Sequence, residues 1–404
     1  MGFFRGFRFD ENRNMVDILM DVTRLVDRML KGRLPTGVDR VGLAWLRHYG
    51  ADAQALIRFG GRWLAMGKTD SARLFAVLLA EPQAQSPALV RRLVGKAYAL
   101  SWRSCRGAWL FHTGHSGLDD SDYAVQIRRQ ALRPVFFLHD LIPMTHPEYC
   151  RPGEADKHRR RLDTMLHAGA ALVMNSSATR DVLLRYAQTH ALPVPPHTVA
   201  LLAAGMLART DDARPLAEPY FVMLGTIEPR KNHLLLLNIW RAWVEQAGNA
   251  VPRLVLIGQR GWECEQVVDM LERCSVLQNV VLEQPDCDDA QLIRWLQHAQ
   301  ALLFPSFVEG FGIPLIEALQ LGIPVLASDL AVFREIAGDI PEYLDPIDGV
   351  GWRQMLLEYS REASMRRRAQ CERVSAFVAP DWRQHFVQVD ALLQGLSQEM
   401  EHPS

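Results

Sequence analysis

The sequence predicts an α/β protein made of two doubly wound, parallel-sheet domains. Short apolar runs alternate with helical patterns along the chain, which is typical of parallel sheets covered by helices on both faces. A length of 404 residues is too great for one ordinary domain and suits two. A polar segment with two prolines, residues 206–219, interrupts the alternation and is predicted to link the domains.

The first half of the chain contains five predicted strands, the last of which should close the set. They are residues 17–22, 55–59, 108–111, 134–138 and 171–174. Residues 34–37 are predicted to form a loop in which Thr36 caps the following helix. That helix should carry Val38, Val41, Trp45 and His48 on one side.

In the second half, predicted strands and helices alternate more regularly. Its predicted strands are residues 220–224, 253–257, 279–282, 301–304 and 323–327. Strands that are so uniformly apolar are usually covered on both faces, so this sheet should be parallel. We expect domains at 1–207 and 218–378, with residues 379–404 crossing back to the first domain as a helix. A ligand cleft is expected between the carboxyl ends of the two sheets.

Composition excludes several classes of protein. A hydrophobic fraction of 49% and a charged fraction of 23% describe a soluble globular chain. The net charge of -1 offers no general attraction for nucleic acid, so an anionic partner must meet a local patch. Six scattered cysteines indicate reduced thiols in a cytoplasmic protein. No stretch approaches the roughly 20 apolar residues that cross a bilayer.

The amino terminus has no apolar stretch that would make it a secretion signal. Residues 1–8 interleave phenylalanine with arginine, a composition that suits the headgroup layer of a membrane. Two interpretations remain open for this segment. It is either a peripheral contact with a membrane surface or a disordered terminus.

The strongest functional pattern runs from Glu309 to Glu317. A strand leads into Gly310, Phe311 and Gly312, and Pro314 then opens a helix. The glycines allow close approach to the backbone, and the start of the helix favours an anion such as phosphate. The carboxylates of Glu309 and Glu317 are suited to sugar hydroxyls, since each accepts two hydrogen bonds from a diol. The alternative is that Glu317 offsets the helix dipole and Glu309 is an exposed loop acid.

A second pattern follows the strand 220–224 and contains Gly225, Thr226, Arg230 and Lys231. Two adjacent cations at the carboxyl end of a strand could hold a diphosphate, Arg230 by its planar fork and Lys231 as a point charge. The alternative is a solvated basic turn. Two cations at a helix start oppose the helix dipole, however, and a broken local rule beside a cleft suggests a function.

Histidines follow two strands of the first half. His139 comes directly after a strongly apolar strand, where it is either a residue that meets substrate or a packed side chain. His112 and His115 lie close in sequence to Asp119 and Asp120, so the four residues could resemble a metal-binding cluster. Their spacing, however, matches no structural zinc pattern. We therefore expect no metal.

The basic run of residues 157–161 lies on a predicted helix. It is either a solvated face or a surface for anionic lipid headgroups or a lipid-linked diphosphate acceptor. RNA binding is disfavoured because no aromatic residue is interleaved with the run. The chain has no Walker loop, no dinucleotide-binding glycine pattern and no hydrolase or zinc-protease motif.

Taken together, these residues resemble glycosyltransferase family 4, whose members have the GT-B fold and retain the configuration of the transferred sugar. The resemblance covers nearly the whole chain. It is carried by GTIEPRKNH (225–233), the turn 258–262, FPSFVEGFGIPLIEAL (304–319) and residues 322–325. In the first half, HDLIPMTHPEYC (139–150) and NSSATRDVL (175–183) are similar to bacterial members that build surface polysaccharides.

The resemblance implies a role for each matched position. Arg230 and Lys231 would bind the donor diphosphate, Glu317 the ribose, and Glu309 with the backbone of Gly310 to Gly312 the transferred sugar. His139 would lie beside that sugar on the first-domain side. Thr36 and Gly37 would fall in the loop where donor phosphate and acceptor meet. One departure is that many members carry an additional arginine where this chain has Thr226, so fewer cations would hold the phosphates.

The resemblance further implies a hexosyltransferase without cofactor or metal. Its donor would be a nucleotide sugar, GDP- or UDP-linked, with GDP-mannose favoured because GTIEPRKN is similar to mannosyltransferases. Its acceptor would be a growing bacterial polysaccharide or a lipid-linked saccharide, met in the cytoplasm or at the inner face of the plasma membrane. The alternatives are a UDP- or dTDP-sugar donor, a non-transferring relative such as an epimerase, and a catalytically silent scaffold of a polysaccharide assembly.

Overall fold

A computed structural model describes residues 18–33, 35–100, 105–205 and 208–401 of the protein. The chain divides into two compact units. The first comprises residues up to Met144, residues 153–202 and residues from Trp382 onward. The second comprises Thr145–Pro152 and Ala203–Asp381. The predicted boundaries were at 207 and 378, and the assignment of Thr145–Pro152 to the second unit was not predicted.

The first unit is built on a seven-stranded sheet of order β3-β2-β1-β4-β5-β6-β7. The strands are β1 (Ile18–Asp21), β2 (Ala53–Phe59), β3 (Arg62–Ala65), β4 (Trp109–His112), β5 (Arg133–Leu138), β6 (Ala171–Met174) and β7 (His197–Val199). Every pairing is parallel except that of β2 with β3. The hydrophobic residues of β4, β5 and β6 are almost all fully buried, as expected of strands covered by helices on both faces.

Helices of the first unit connect these strands and cover them. They are α1 (Thr23–Leu30), α2 (Gly37–Tyr49), α3 (Lys68–Leu79), α4 (Pro87–Leu100), α5 (Ser121–Arg129), α6 (Ile142–Thr145, whose last residue falls in the second unit), α7 (Glu154–Ala168), α8 (Ser177–Thr189) and the last helix of the chain, α16 (Trp382–Glu401). A short 3-10 turn, Pro82–Ala84, precedes α4.

The last helix is attached to the first unit through His385. Its Nε2 accepts a hydrogen bond from the buried indole of Trp45 in α2 (3.1 Å), and its Nδ1 lies 3.1 Å from the carbonyl oxygen of Ala200. Burial lowers the pKa of His385 to about 4, so the ring is neutral and can both donate and accept. A buried hydrogen bond and aromatic packing therefore fix α16 against α2.

The second unit is built on a six-stranded, wholly parallel sheet of order β10-β9-β8-β11-β12-β13. Its strands are β8 (Tyr220–Leu224), β9 (Arg253–Ile257), β10 (Val281–Gln284), β11 (Leu302–Phe304), β12 (Val325–Ser328) and β13 (Glu342–Leu344). Its helices are α9 (His233–Ala247), α10 (Glu265–Arg273), α11 (Asp289–Gln297), α12 (Ile313–Gln320), α13 (Ala331–Ala337), α14 (Gly349–Ser360) and α15 (Met365–Ser375). Four 3-10 turns complete it, at Pro147–Tyr149, Pro229–Lys231, Gly248–Ala250 and Ser275–Leu277.

Each sheet has a point where the strand order reverses. In the first, the chain moves outward from β1 to β3 and returns to β4 beside β1; in the second, it moves from β8 to β10 and returns to β11 beside β8. Ligands of such sheets bind outside the carboxyl ends of the strands at this reversal. The segments that follow β1, β4, β8 and β11 are therefore the positions where a site is expected.

Three strands were missed by the sequence prediction. β3, β7 and β13 are edge strands, and β7 and β13 have only three residues each. Edge strands carry polar residues on their exposed sides, so the apolar run that reveals a central strand is absent. The expectation that residues 171–174 close the first set was wrong, since β7 follows, and the antiparallel β3 departs from a purely parallel sheet.

The segment predicted to link the domains is bonded to the second unit. Residues 206 and 207 lie outside the described residues, and 208–219 form neither helix nor strand. Side chains around α11 hold their backbone: Gln297 Oε1 accepts from the N–H of Thr210 (3.0 Å), and Arg294 donates to the carbonyl of Ala213 (2.8 Å). The segment belongs to the second unit because its backbone polar groups are paired there.

The amino-terminal residues 1–8, for which a membrane contact was considered, lie outside the described residues. Within the described part of the chain, no helix combines the length and apolar character needed to span a bilayer.

Candidate functional site

Two loops lie side by side at the strand reversal of the second sheet. One follows β8 and contains Gly225, Thr226, Arg230 and Lys231; the other follows β11 and leads to Glu309. Backbone contacts join the loops, since the N–H of Phe307 donates to the carbonyl of Arg230 (2.9 Å). The two strongest sequence patterns are therefore parts of one cluster, which the parallel pairing of β8 with β11 creates.

Glu309 is the centre of this cluster. Its Oε1 accepts from Lys231 Nζ at 2.6 Å and from the Ser306 hydroxyl at 2.7 Å, and its Oε2 accepts from Arg230 Nη1 at 2.6 Å. The Glu309 and Lys231 side chains are only 7% and 8% exposed. Both carboxylate oxygens are thus engaged with cations. The interpretation of Glu309 as an exposed loop acid was wrong, and so was that of Lys231 as part of a solvated basic turn.

Glu228 is a fourth charged member that the sequence reasoning missed. Its side chain is 2% exposed, and its Oε1 lies 2.6 Å from Arg230 Nε. Arg230 therefore lies between two carboxylates, those of Glu228 and Glu309. The sequence did contain a signal for Glu228. Pro229 begins a 3-10 turn, and this turn places Glu228 just ahead of the two cations.

The pKa values of the cluster follow from burial and charge together. Burial favours a raised pKa for Glu309, but the charges of Arg230 and Lys231 outweigh it and lower the pKa to about 2. Burial lowers the pKa of Lys231 while the Glu309 charge opposes that change. Burial raises the pKa of Glu228, and the Arg230 and Lys231 charges only partly offset it. Glu309 is therefore firmly ionised, whereas Glu228 is the carboxyl that most readily takes a proton.

Asn232 fixes the geometry of the first loop. It adopts a left-handed backbone conformation (φ 64°) between the 3-10 turn and α9, a conformation that asparagine tolerates better than most residues. Its side-chain amide donates to the carbonyl oxygens of Pro305 (3.1 Å) and Pro346 (2.8 Å). The bond to Pro305 ties the cation loop to the segment that carries Ser306 and Glu309, and the bond to Pro346 ties it to the segment after β13.

Gly225 makes room for Lys231. Its φ of +144° is strained for any residue with a side chain, and a Cβ there would lie 3.2 Å from Lys231 Cε. Gly258, directly after the neighbouring β9, has the same φ, and a Cβ on it would clash with the carbonyl oxygen of Gly225. Thr226 is exposed beside them. The glycines thus let two backbones and a lysine stem pass close together.

The glycine loop leads directly into α12, as the sequence predicted. Gly312 is the N-cap residue at φ +127°, and no side chain caps the helix. Pro314 is the second helical residue rather than the first, because α12 begins at Ile313. Glu317 lies in the second turn and is only 2% exposed, and Phe311 is 5% exposed. The loop backbone at Gly310 remains more accessible than either side chain.

An eight-residue segment from the first half of the sequence packs on this site. Within Thr145–Pro152, the Tyr149 ring stacks on Phe307 (centroids 5.3 Å apart, planes 9° apart). The carbonyl of Tyr149 accepts from the Trp262 indole at 3.2 Å, and Arg151 lies over the Trp262 ring. Phe307 is thereby fixed twice: its ring stacks on Tyr149, and its backbone N–H bonds to Arg230.

His139 lies in the first unit, at the end of β5, and is 6% exposed. Its Nε2–H donates to the carbonyl of Thr113 (2.7 Å), and its own carbonyl accepts from Asn175 (2.7 Å). Burial lowers the pKa of His139, with the bond to Thr113 opposing the change. The ring is therefore both tightly packed and fixed in one tautomer, which is compatible with either interpretation from the sequence.

Thr36 and Gly37 occupy the amino-terminal end of α2. Thr36 and Asp39 form a capping box, in which Asp39 Oδ2 accepts from the Thr36 N–H at 2.7 Å. The predicted capping role of Thr36 is confirmed. Gly37 is the first residue of the helix, so only Thr36 belongs to the preceding loop.

His112, which the sequence placed in a possible metal cluster, is a packed side chain. His112 is buried and bonds through Nδ1 to the Tyr123 hydroxyl (2.7 Å). Among the described residues, no group of three or more His, Cys, Asp or Glu side chains is arranged to hold a metal ion.

The basic run of residues 157–161 lies on α7, but His158 is buried and bonds to the Asp140 carbonyl, whereas Arg159 is exposed. The run is therefore not one solvated face.

A segment of the second unit matches a known family. Residues 208–340 match the family described as Glycosyl transferases group 1. Serotype-specific mannosyltransferase WbdA of Escherichia coli is 30% identical over 219 residues, covering 50% of this chain and 26% of WbdA. O-antigen chain mannosyltransferase B of Escherichia coli is 26% identical over 223 residues, covering 54% of this chain and 58% of that protein. The chain thus spans about a quarter of WbdA's length and just over half of the second relative's.

Solved structures share the whole architecture. The crystal structure of Anabaena Alr3699/HepE in complex with UDP superimposes with a TM-score of 0.63 at 15% identity, covering 94% of this chain and 100% of that one. Sucrose-phosphate synthase from Thermosynechococcus elongatus superimposes with a TM-score of 0.63 at 15% identity, covering 95% and 99%. The predicted fold class is confirmed. The chain has the GT-B fold, and its residues 208–340 match the Glycosyl transferases group 1 family.

Proposed function

We propose that the chain is a retaining, metal-independent hexosyltransferase of glycosyltransferase family 4. Its specific reaction would be transfer of mannose from GDP-mannose to a bacterial polysaccharide or a lipid-linked oligosaccharide. The observation that carries the proposal is the convergence of Arg230 and Lys231 on the buried Glu309, at 2.6 Å each. Two fixed cations beside a glycine loop and a helix start suit a diphosphate that departs with negative charge.

The proposed chemistry needs no protein nucleophile. The acceptor hydroxyl oxygen forms a bond to the anomeric carbon as the bond from that carbon to the diphosphate oxygen breaks. The nucleoside diphosphate leaves with the electron pair, and one of its phosphate oxygens takes the hydroxyl proton. Arg230 and Lys231 stabilise the charge that develops on the leaving group, so the protein acts by positioning and electrostatics.

Glu228 supplies a means of adjusting the charge of the cluster. When all four side chains are ionised, the two cations (Arg230, Lys231) and two carboxylates (Glu228, Glu309) sum to zero. Because burial raises the pKa of Glu228, this carboxyl takes a proton at the lowest cost. The protonated form leaves a net positive charge for the diphosphate.

The choice of mannose and of a polysaccharide rests on the relatives. WbdA and O-antigen chain mannosyltransferase B are both named as mannosyltransferases. A cytoplasmic location, with contact at the inner face of the plasma membrane, accompanies this proposal. The second candidate is the same reaction with a UDP-sugar, which is favoured by the UDP complex of the similar Anabaena structure.

A donor screen tests the proposal. The purified chain is incubated with GDP-mannose, UDP-sugars and a dTDP-sugar, with and without a chelator, and released nucleotide is measured. Release from GDP-mannose that persists with the chelator supports the proposal, and retention of the anomeric configuration is read from the product by NMR. Release from a UDP-sugar alone supports the second candidate. Nucleotide binding without turnover of any donor would indicate a silent scaffold instead.

A further inference from the structure

A cavity of about 410 Å³ lies in the second unit, between the starts of α9 and α10. One wall is formed by residues of the segment 228–234, which leads into α9, another by residues 263–267 at the start of α10, and a third by Phe307. Glu228 is the member of the charged cluster that lines it. The volume falls within the range of small-molecule pockets, roughly 300–1,000 Å³. The cavity therefore adjoins the cation cluster and is large enough for a ligand of its own.

A buried ring nitrogen in the wall of this cavity is available to a ligand. His233 is the first residue of α9, is 2% exposed and lines the cavity. Its Nδ1 forms no hydrogen bond to any part of the chain that the structure describes. Burial, with a smaller contribution from the Lys231 charge, lowers the pKa of His233 to about 3, so the ring is neutral and can accept a hydrogen bond. An unpaired buried polar atom is costly, and a ligand that donates to it removes that cost.

Carboxylates give the lining an excess of negative charge. Besides Glu228, the cavity is lined by Glu263 and Glu265, which are exposed and pair with no cation among the described residues. Glu228 itself belongs to the cluster of two cations and two carboxylates, whose charges sum to zero. The two helix starts contribute about half a positive charge each, which does not cancel the two exposed carboxylates. The cavity therefore favours a cation.

The remaining lining indicates the kind of cation. Pro229, Leu234, Val267 and Phe307 supply apolar surface, which an inorganic ion does not use. Within the part of the protein that the structure describes, no group of three or more metal-ligating side chains is arranged to hold a metal ion. Apolar surface together with carboxylates and a neutral imidazole suits an organic ammonium ion with an alkyl stem. Its N–H groups donate to these acceptors while the stem packs on the apolar side chains.

We propose that this cavity is a regulatory site for a small linear diamine, with one ammonium beside Glu228 and His233 and the other beside Glu263 and Glu265. The first two residues are buried and the last two are exposed, so one end of the ligand is enclosed and the other lies at the rim. The bound ammonium neutralises the Glu228 charge as a proton would, and it thereby strengthens the attraction of the cluster for an anion. The anion strengthens diamine binding by the same factor.

The site is inferred from the second unit alone, whereas its effect on the donor diphosphate rests on the proposed function. Binding of butane-1,4-diamine to the full chain, measured by calorimetry without nucleotide, tests the site. Butan-1-ol, which has the stem but no charge, should bind at least tenfold more weakly. The double variant Glu263→Gln/Glu265→Gln should lose about tenfold in diamine affinity. Asp269→Asn is the matched control, because it removes a carboxylate from α10 that pairs with Arg273 outside the cavity, and it should bind as the wild type does.

Two measurements place the ligand within the cavity. His233→Phe keeps an aromatic ring but removes the acceptor nitrogen, so diamine affinity should fall about fivefold. Cys264 lines the cavity and is half-buried, so the bound diamine should slow its alkylation by iodoacetamide. Cys287, also half-buried, lies outside the cavity and should react at an unchanged rate. Peptide mapping by mass spectrometry follows the two thiols separately, and melting temperatures confirm that the variants are folded.

The regulatory effect is measured as the affinity for GDP with and without saturating diamine, at matched ionic strength. The affinity should rise about threefold in the wild type, and the rise should vanish in Glu228→Gln, which has no charge to neutralise. The site is overturned if butan-1-ol binds as tightly as the diamine, or if the double variant binds the diamine as the wild type does. Diamine binding with unchanged GDP affinity would overturn the regulatory role. Absence of GDP binding in every protein would contradict the proposed function, while the diamine measurements would still decide the site.

Discussion

Lys231 Nζ lies 2.6 Å from Glu309 Oε1, although 78 residues separate them along the chain. The contact arises because β8 and β11 are neighbours in the sheet, so the loops after them share one edge. Glu309 also bonds to Arg230, so a single carboxylate holds two cations in place. Substitutions within this group should therefore affect both stability and the binding of the proposed diphosphate.

Glu309→Ala should destabilise the protein more than Glu309→Gln. The alanine variant leaves Lys231 and Arg230 buried near each other without their shared acceptor, which costs about 3 kcal/mol or more. The glutamine oxygen still accepts one of these bonds. Denaturant unfolding compares the two variants, and equal midpoints would contradict the assigned role of the carboxylate.

Lys231→Ala should lower nucleotide release from the donor by about a hundredfold or more, because a preorganised cation is lost from the leaving group. Arg241→Ala provides the control, since Arg241 is an exposed cation of α9 that pairs with Glu245. It should leave release unchanged. A Lys231→Ala variant that is folded and turns over normally would rule out the proposed donor site.

The affinity for GDP should fall as the pH rises through the range where Glu228 ionises. The pKa of Glu228 is raised, so the protonated form extends above the usual glutamate range, and its loss adds a negative charge beside the diphosphate. Glu228→Gln should bind GDP more tightly than the wild type at high pH and show a flatter pH dependence. Parallel pH profiles of the two proteins, measured by calorimetry, would exclude this role.

Gly258→Ala should destabilise the second unit by about 3 kcal/mol. The added methyl combines a strained φ with a clash against the Gly225 carbonyl oxygen, which neither backbone can relieve. Gly248→Ala is the comparison, because Gly248 (φ 66°, ψ -161°) is strained for a side chain but has open space around it, so strain alone, about 1–3 kcal/mol, should cost less than strain and clash together. Chemical denaturation that ranks the variants in the opposite order would contradict this reasoning.

Tyr149→Ala should lower stability by about 1 kcal/mol through loss of the stack on Phe307. Tyr149→Phe keeps the ring and the backbone acceptor for Trp262, so it should retain the wild-type value. Thermal unfolding of the two variants measures the difference. If both lose the same amount, the hydroxyl rather than the stack is responsible.

Much of the fold was predictable because its central strands are uniformly apolar. The prediction of 171–174, 220–224 and 253–257 was confirmed to the residue, since burial on both faces leaves a continuous apolar run. The edge strands β3, β7 and β13 have no such run. The motif residues of the second unit were also recognisable, because glycine, proline and paired charges at strand ends break local rules.

The sequence by itself determined the two sheets, the order of their central strands along the chain and the residue types at their reversal points. Only the tertiary structure decided that both oxygens of Glu309 bind the cations, that Glu228 is buried beside Arg230, and that residues 145–152 pack on the Glu309 loop. The physical reason is that these contacts join segments up to about 160 residues apart, whose proximity depends on strand order and not on any local pattern.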